Sequence, residues 1–277
     1  MTLAKIPLAG VIGHPIAHSR SPLLHGHWLR SFGLAGHYVP MDVSPENLRD
    51  ALRMLPRVGF VGANVTLPHK ENALEIADIV TDTARRIGAA NTLTFLEDGK
   101  ILADNTDGYG FMQNLKQGAP KWQADAGASV ILGAGGAARA VIVALLDEGV
   151  SEILISNRTA ERAEQLCQEF GSCLRMIDWA QAGDAIKAGS TIINTTSLGM
   201  AGKPELNLSL EGLQKEATVT DLVYNPLKTK LLEAADDAGC VTVDGLGMLL
   251  HQAVPGFERW FGIRPKVDDE TRKAALA

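Results

Sequence analysis

Short apolar runs alternate with longer stretches of helical spacing along most of this chain. Leu8 to Gly13, His37 to Val43 and Phe60 to Val65 read as strands, while Ser21 to Phe32, Pro45 to Leu55 and Pro68 to Ala77 read as helices. That alternation predicts a mostly parallel βα sheet. From Thr92 to Ala103 the pattern changes. Two apolar runs flank Asp98-Gly99, a hairpin signal, which predicts antiparallel strands closing the first half.

The second half repeats the alternation. Strands are predicted at Val130, Ile153, Thr191 to Asn194, Val219 to Val223 and Val241 to Val243, with a further short one over Leu174 to Ile177. Between the first two, Val130-Ile131-Leu132 runs through Gly133-Ala134-Gly135 into a small-residue helix. Gly133 allows a sharp turn, Gly135 lets backbone approach a pyrophosphate, and Ala138 permits close packing of helix on sheet. The helix N-terminus then offers unpaired N–H groups to phosphate.

At the end of the next strand, where an NAD-binding fold places Asp or Glu against the ribose hydroxyls, stand Asn157, Arg158 and Thr159, with Arg162 one turn on. A carboxylate would repel a 2′-phosphate, whereas these groups can hydrogen-bond it, so the cofactor read from the residues is NADP(H). The alternative is that Arg158 and Arg162 are solvated surface charges and Thr159 an N-cap. The expected fold class is α/β in two domains: an N-terminal mostly parallel α/β substrate domain and a Rossmann-type, doubly wound NADP-binding domain.

Composition narrows the function classes. A chain of 277 residues exceeds the size at which one core usually keeps growing. The net charge of -6 argues against nonspecific nucleic-acid binding. Three cysteines without metal-ligand spacing suit a reducing cytoplasm, and the histidines match no zinc pattern. The apolar start from Ile6 to Gly13 is far shorter than a membrane span, with only Lys5 as a basic flank, and reads as a buried strand.

Four polar clusters in the first half stand at predicted strand ends or helix starts: HSRSP at 18–22, NVTLPHK at 64–70, AANT at 89–92 and NTDGYG at 105–110. Ligand sites in open α/β sheets gather at such places. Lys70 is expected one turn into a helix starting at Pro68, and Asp107 in the loop leading to the second domain. Hydride transfer to a ketone needs a proton donor at the forming alkoxide, and a lysine beside a carboxylate can serve, although the same two residues could form an ordinary salt bridge. Ser21-Pro22 reads as an N-cap with proline at the first helical position, leaving Ser19 to face a ligand, and the two hydroxyls could hold a carboxylate.

Together HSRSP, NVTLPHK, AANT, NTDGYG, GAGGAAR, NRTAER, NTTSLGM and DGLGMLLHQA resemble, in order and spacing, the blocks of the shikimate dehydrogenase family. The likeness covers nearly the whole chain. It implies NADPH-linked reversible reduction of 3-dehydroshikimate to shikimate, a step toward aromatic amino acids, in a cytoplasmic enzyme. It also implies roles: Lys70 and Asp107 as the catalytic pair, Ser19 and Ser21 for the substrate carboxylate, and Thr66, Asn91 and Gln252 for ring hydroxyls, with Asn64 shaping that pocket and Tyr224 reaching substrate. Gly133, Ala134, Gly135, Gly136 and Ala137 match the pyrophosphate turn, and Asn157, Arg158, Thr159 and Arg162 the adenosine-phosphate pocket. Thr196, Ser197, Leu198, Gly199 and Met200 resemble the segment that passes the nicotinamide, joined by Val223, Gly245 and Met248.

The family returns its C-terminal helix to the first domain, giving an expected division into residues 1–106 plus 245–277 for substrate and 107–244 for NADP. Lys230 stands where many members have proline, and the tail from Ile263 to Ala277 is charged, alanine-rich and helical in potential, without an assigned function. No metal, nucleic-acid or membrane partner is expected, and the chain is read as a monomer or homodimer. A paralogue acting on quinate or an amino-substituted shikimate, and a non-catalytic NADP-binding sensor, are the alternatives.

Overall fold

The computed structural model describes residues 6–208 and 212–277, so Lys5 lies outside the described residues. The chain forms two compact units. One runs to Thr106 and resumes at Leu250–Ala277; the other is Asp107–Leu249. Among the described residues no helix is long and apolar enough to cross a membrane.

The first unit comprises β1 (Leu8–Gly13), α1 (Ser21–Ser31), β2 (His37–Asp42), α2 (Leu48–Met54), β3 (Phe60–Val65), α3 (Lys70–Ile76), β4 (Ile79–Val80), α4 (Asp82–Ile87), β5 (Thr92–Phe95) and β6 (Ile101–Asp104). Its sheet order is β2-β1-β3-β5-β6-β4. β5 is antiparallel to both neighbours, and the other pairings are parallel. The hairpin turns at Asp98-Gly99, where Gly99 takes φ +82°.

One face of this sheet packs on Ile12, Leu48, Leu52, Val65, Ile76, Leu93 and Ile101. Aromatic rings gather elsewhere in the unit. His25 stacks on Tyr38 with centroids 3.8 Å apart and planes 7° from parallel, and Trp28, Phe257 and Trp260 surround the pair. Burial holds the His25 imidazole at about 3, far below the ordinary histidine value of 6.5.

The second unit continues with α5 (Asp107–Gly118), β7 (Ser129–Leu132), α6 (Gly136–Asp147), β8 (Ile153–Ser156), α7 (Ala160–Phe170), β9 (Leu174–Met176), α8 (Ala182–Ala188), β10 (Thr191–Asn194), β11 (Thr218–Asp221), α9 (Lys230–Asp237) and β12 (Val241–Val243). All pairings are parallel, in the order β12-β11-β10-β7-β8-β9. That is the doubly wound dinucleotide-binding order, with its switch point between β7 and β10. Strand alternation sorts the side chains into two cores. Ile131, Ile153, Ile155 and Ile193 enter one, and Val130, Leu132, Leu154, Ile192 and Val219 the other.

α10 (Leu246–His251), α11 (Val254–Phe261) and α12 (Asp269–Leu276) complete the chain. The apolar stretch from Met248 to Phe261 thus spans two helices, broken at Gln252-Ala253. The second compact unit runs to Leu249, and the chain rejoins the first at Leu250. Residues 245–249 stay with the second unit because Asn114 Nδ2 donates to Asp244 O at 2.6 Å, and a Cβ on Gly247 would lie 1.7 Å from Asn114 Oδ1. The charged tail has a structural place: α12 packs on α1, where Trp28 Nε1 donates to Thr271 Oγ1 at 3.3 Å. Lys230 begins α9 and pairs on the surface with Glu205 at 3.2 Å.

α11 reaches the first sheet through Trp260, whose Nε1 donates to Leu93 O at 3.1 Å. Only glycine fits beneath it, since a Cβ on Gly62 would lie 1.9 Å from Trp260 Nε1 and 2.4 Å from Leu93 O. Gly62→Ala is expected to destabilise the protein by about 1–3 kcal/mol, read by urea unfolding monitored through tryptophan fluorescence. His25 yields a pH signature. The unfolded chain binds a proton near 6.5 that the folded chain refuses until about 3, so stability is lost as pH falls through that window. His251, lowered to about 4 by burial and Arg272, adds to the same limb. His25→Phe keeps an aromatic stack and removes one titration; between pH 7 and 5 it should lose up to about 2 kcal/mol less stability than the parent.

Candidate active site

In the first unit the polar residues at the strand ends form one connected network. Tyr38 OH donates to Asn64 Oδ1 at 2.7 Å, and Asn64 Nδ2 donates to Asn91 O at 3.2 Å and Thr92 Oγ1 at 3.3 Å. Asn91 Oδ1 accepts from Thr92 Oγ1 and from the Thr106 backbone N–H, both at 2.9 Å. Asn91 Nδ2 donates to Gln252 Oε1 at 3.4 Å, and Thr106 Oγ1 donates to Gln252 O at 2.8 Å. Asn91 and Gln252, expected as ring-hydroxyl ligands, are thus brought together across 161 positions of sequence.

Lys70 is partly buried and is the first residue of α3, not one turn inside it. Residues 66–69 form a turn closed by His69 N–H to Thr66 O at 2.9 Å, which delays the helix by two residues. The Lys70 carbonyl accepts from Ala90 N–H at 2.8 Å, which ties the helix start to the AANT segment. His69 is buried, and its Nε2 donates to Val43 O at 2.6 Å, because a carbonyl can only accept. Asp104, just before the Asn105-Thr106-Asp107 segment, accepts from Thr81 Oγ1 at 2.7 Å and Asn105 N–H at 2.8 Å, and pairs with Arg259.

The serine pair differs from the sequence expectation. Arg20 occupies the N-cap of α1 and makes no side-chain cap, and Ser21 is the first helical residue. Ser19 Oγ accepts from Ser21 N–H at 3.3 Å, so Ser19 satisfies the helix start that had been assigned to Ser21. Both serines are partly buried, as is Thr66 at the end of β3.

In the second unit Asp107 is the first residue of α5 and is partly buried. Gly133 turns at φ +111°, donates to Ser156 O at 2.8 Å, and packs so closely that a Cβ would lie 2.6 Å from Thr195 Oγ1. Gly135 is the N-cap of α6 without a side-chain cap, and no acid stands in the first turn. A Cβ on Gly135 or Gly136 would meet open space. This combination of exposed first-turn N–H groups, absent side chains and no carboxylate fits a pyrophosphate. Ala134 and Ala137 are partly buried beside it.

Around the end of β8, Asn157 Nδ2 donates to Thr159 O at 2.8 Å. Thr159 is the N-cap residue of α7, yet its hydroxyl makes no cap bond. Arg158 and Arg162 are exposed, and among the described residues neither forms an ion pair. With Glu161 also in the first turn of α7, the donors of Asn157, Arg158, Thr159 and Arg162 still form a set that fits a 2′-phosphate.

The segment after β10 is held by residues that sequence reading passed over. Asn194 Oδ1 accepts from Thr196 N–H at 3.0 Å and Thr196 Oγ1 at 2.7 Å, and its Nδ2 donates to Leu198 O at 3.2 Å and Asp221 Oδ1 at 2.9 Å. The buried Asp221 also accepts from Val223 N–H at 3.0 Å and Thr229 Oγ1 at 2.7 Å. Burial pushes its carboxyl above the ordinary range against these donors. Gly199 turns at φ +85°, flanked by exposed Ser197 and partly buried Met200. A Cβ on Gly245 would lie 2.3 Å from Leu222 O, so that glycine lets α10 approach the strand end. Met248 packs on the Phe111 and Ile155 core, and Tyr224 is partly buried after β11. The available signal for Asn194 and Asp221 was a polar residue closing a buried strand.

The sheet order, the acid-free glycine turn and the polar network define a two-unit α/β oxidoreductase of the nicotinamide-dependent class. Family models match in three segments: the shikimate dehydrogenase substrate binding domain over residues 11–93, shikimate / quinate 5-dehydrogenase over 119–202, and the shikimate 5′-dehydrogenase C-terminal domain over 245–275. A curated relative from Roseobacter denitrificans, shikimate dehydrogenase (NADP(+)), is 63% identical over 100% of both chains. The solved shikimate 5-dehydrogenase from Thermus thermophilus, in complex with NADP(H) and shikimate, is 38% identical with TM-score 0.86 and covers 98% of each chain. Quinate dehydrogenase from Corynebacterium glutamicum, in complex with NAD, is 32% identical with TM-score 0.89 over 98% of this chain and 99% of that one. The chain belongs to the shikimate dehydrogenase family.

The exposed guanidinium at 158 gives a direct cofactor test. Arg158→Ala is expected to weaken NADP binding roughly thirtyfold, as loss of a charge-assisted bond of about 2 kcal/mol, and to leave NAD binding unchanged. Equal losses for the two dinucleotides in a fluorescence titration would remove Arg158 from phosphate recognition.

Proposed function

We propose that this protein catalyses the reversible NADP(H)-linked reduction of 3-dehydroshikimate to shikimate, with Lys70 and Asp107 as the catalytic pair. The observation that carries the reading is the pairing, in one chain, of an acid-free glycine turn beside Asn157, Arg158 and Thr159 with the Asn91–Gln252 network in the unit that holds Lys70. Relatives named shikimate dehydrogenase (NADP(+)) along the full length support it.

NADPH, when bound, supplies the hydride. Gly133 to Ala137 hold its pyrophosphate, Asn157, Arg158, Thr159 and Arg162 its adenosine phosphate, and Thr196 to Met200 with Val223, Gly245 and Met248 line its nicotinamide end. Ser19 and Ser21 bind the substrate carboxylate; Thr66, Asn91, Gln252 and Tyr224 orient the ring. The Lys70 ammonium delivers a proton to the ketone oxygen as negative charge develops there, and water reprotonates the amine, whose charged form the Asp107 carboxylate favours. The substrate-binding part is proposed to comprise residues 1–106 and the returning C-terminal segment. We place the protein in the cytoplasm as a monomer or homodimer without membrane partners, and without nucleic-acid partners, the last in keeping with its net charge of -6.

The test is the rate of NADP reduction by the purified protein with shikimate, run beside quinate and NAD. Turnover with shikimate and NADP is expected; turnover only with quinate or NAD would move the reaction to the other branch of the family. In the same assay Lys70→Ala should lower kcat by about 10² to 10⁴ with a much smaller rise in KM. Unchanged kcat would remove Lys70 from the chemistry.

A further inference from the structure

Two backbone groups assign the direction of the whole first-unit network. Asn91 O can only accept, so the Asn64 atom facing it at 3.2 Å is the amide nitrogen, and Asn64 Oδ1 is turned to Tyr38. The Thr106 backbone N–H can only donate, so the Asn91 atom facing it at 2.9 Å is Oδ1, and Asn91 Nδ2 is turned to Gln252. With both amides oriented, the protons run one way. Tyr38 O–H gives to Asn64 Oδ1, Asn64 N–H to Thr92 Oγ1, Thr92 O–H to Asn91 Oδ1, and Asn91 N–H to Gln252 Oε1.

Tyr38 is the donor at the head of this chain. It is buried on the edge strand β2, its hydroxyl is kept protonated by burial, which raises it well above its ordinary range against a hydrogen bond with Ser21, and its ring is clamped by the His25 stack. Among the described residues neither His25 nitrogen has a hydrogen-bond partner, so the imidazole meets Tyr38 through its face. Asn64 spends both amide protons on Asn91 and Thr92, and only Tyr38 among the described side chains donates to its oxygen.

We propose that Tyr38 is a positioning residue of the substrate site: by donating to Asn64 it holds that amide in the orientation the backbone selects, and so steadies Asn91 and Gln252 and the fit of a polyhydroxylated ring carboxylate. This rests on the substrate reading given above for Asn91 and Gln252. The residue acts at a distance of four hydrogen bonds from Gln252 and belongs to none of the polar clusters singled out in the sequence.

The experiment is steady-state kinetics of the full-length protein with shikimate and NADP, with NADP affinity measured separately by fluorescence titration. Tyr38→Phe removes the hydroxyl and keeps the ring on His25. It should raise KM for shikimate about tenfold, change kcat by less than about threefold, and leave NADP affinity unchanged. In an Asn64→Ala background, where the chain is already cut, the same substitution should add less than about twofold. An unchanged KM in folded Tyr38→Phe, or a second full loss in the Asn64→Ala background, overturns the proposal. If Tyr38→Phe fails to melt cooperatively, Thr92→Val cuts the next two links. It must then give the same rise in KM with unchanged NADP affinity, or the proposal falls. A parent protein that does not oxidise shikimate would instead overturn the reading of the reaction, before any variant is compared, and this proposal with it.

Discussion

The Asn91 carboxamide is the constraint on which the first unit depends. Its oxygen takes the Thr106 backbone N–H and the Thr92 hydroxyl, and its nitrogen meets Gln252. Three distant parts of the chain are thereby joined at one side chain: the start of the hairpin strand β5, the exit toward the second unit, and the point where the chain returns. Because Asn91 is buried, each of these bonds replaces one that water would otherwise make, and leaving any unmade is costly. A network satisfied in this way has one orientation for each amide, which is what a site that discriminates ring hydroxyls requires.

The second unit solves a similar problem with a carboxylate. Asp221 and Asn194 close neighbouring strands, and between them they hold Thr196, Leu198, Val223 and Thr229. The strand-end loops are therefore fixed from below by buried groups and not by contacts of their own. The glycine turn at the next strand works by subtraction: Gly133 supplies a left-handed turn against Thr195, while Gly135 and Gly136 leave space and unpaired N–H groups above the sheet. Buried polar pins and bare backbone make the same end of the sheet rigid and open to an anion.

Much of this was legible in the chain itself. Short apolar runs bounded by turns placed β1, β3, β7 and β8, and Asp98-Gly99 placed the hairpin because few other pairs make that turn. The limits are equally particular. Pro68 reads as a helix start by local preference, yet the Thr66 carbonyl captures His69 N–H and the helix begins at Lys70. Ser21 reads as a cap, yet Ser19 supplies the oxygen. In both cases two local hydrogen-bonding schemes compete within four residues, and packing around the segment selects one.

The sequence by itself determined the two α/β units, the glycine turn, the cluster of donors in place of an acid after β8, and the blocks that mark the family, since each is written in contiguous residues. Only the tertiary structure decided that Gln252 meets Asn91, that Gly62 exists to seat Trp260, that α12 covers α1, and that Tyr38 heads the polar chain. Those are contacts between segments far apart in sequence. Residue type limits what such side chains can donate or accept, but the partner each finds is set by which strand ends and helices the sheet order brings side by side.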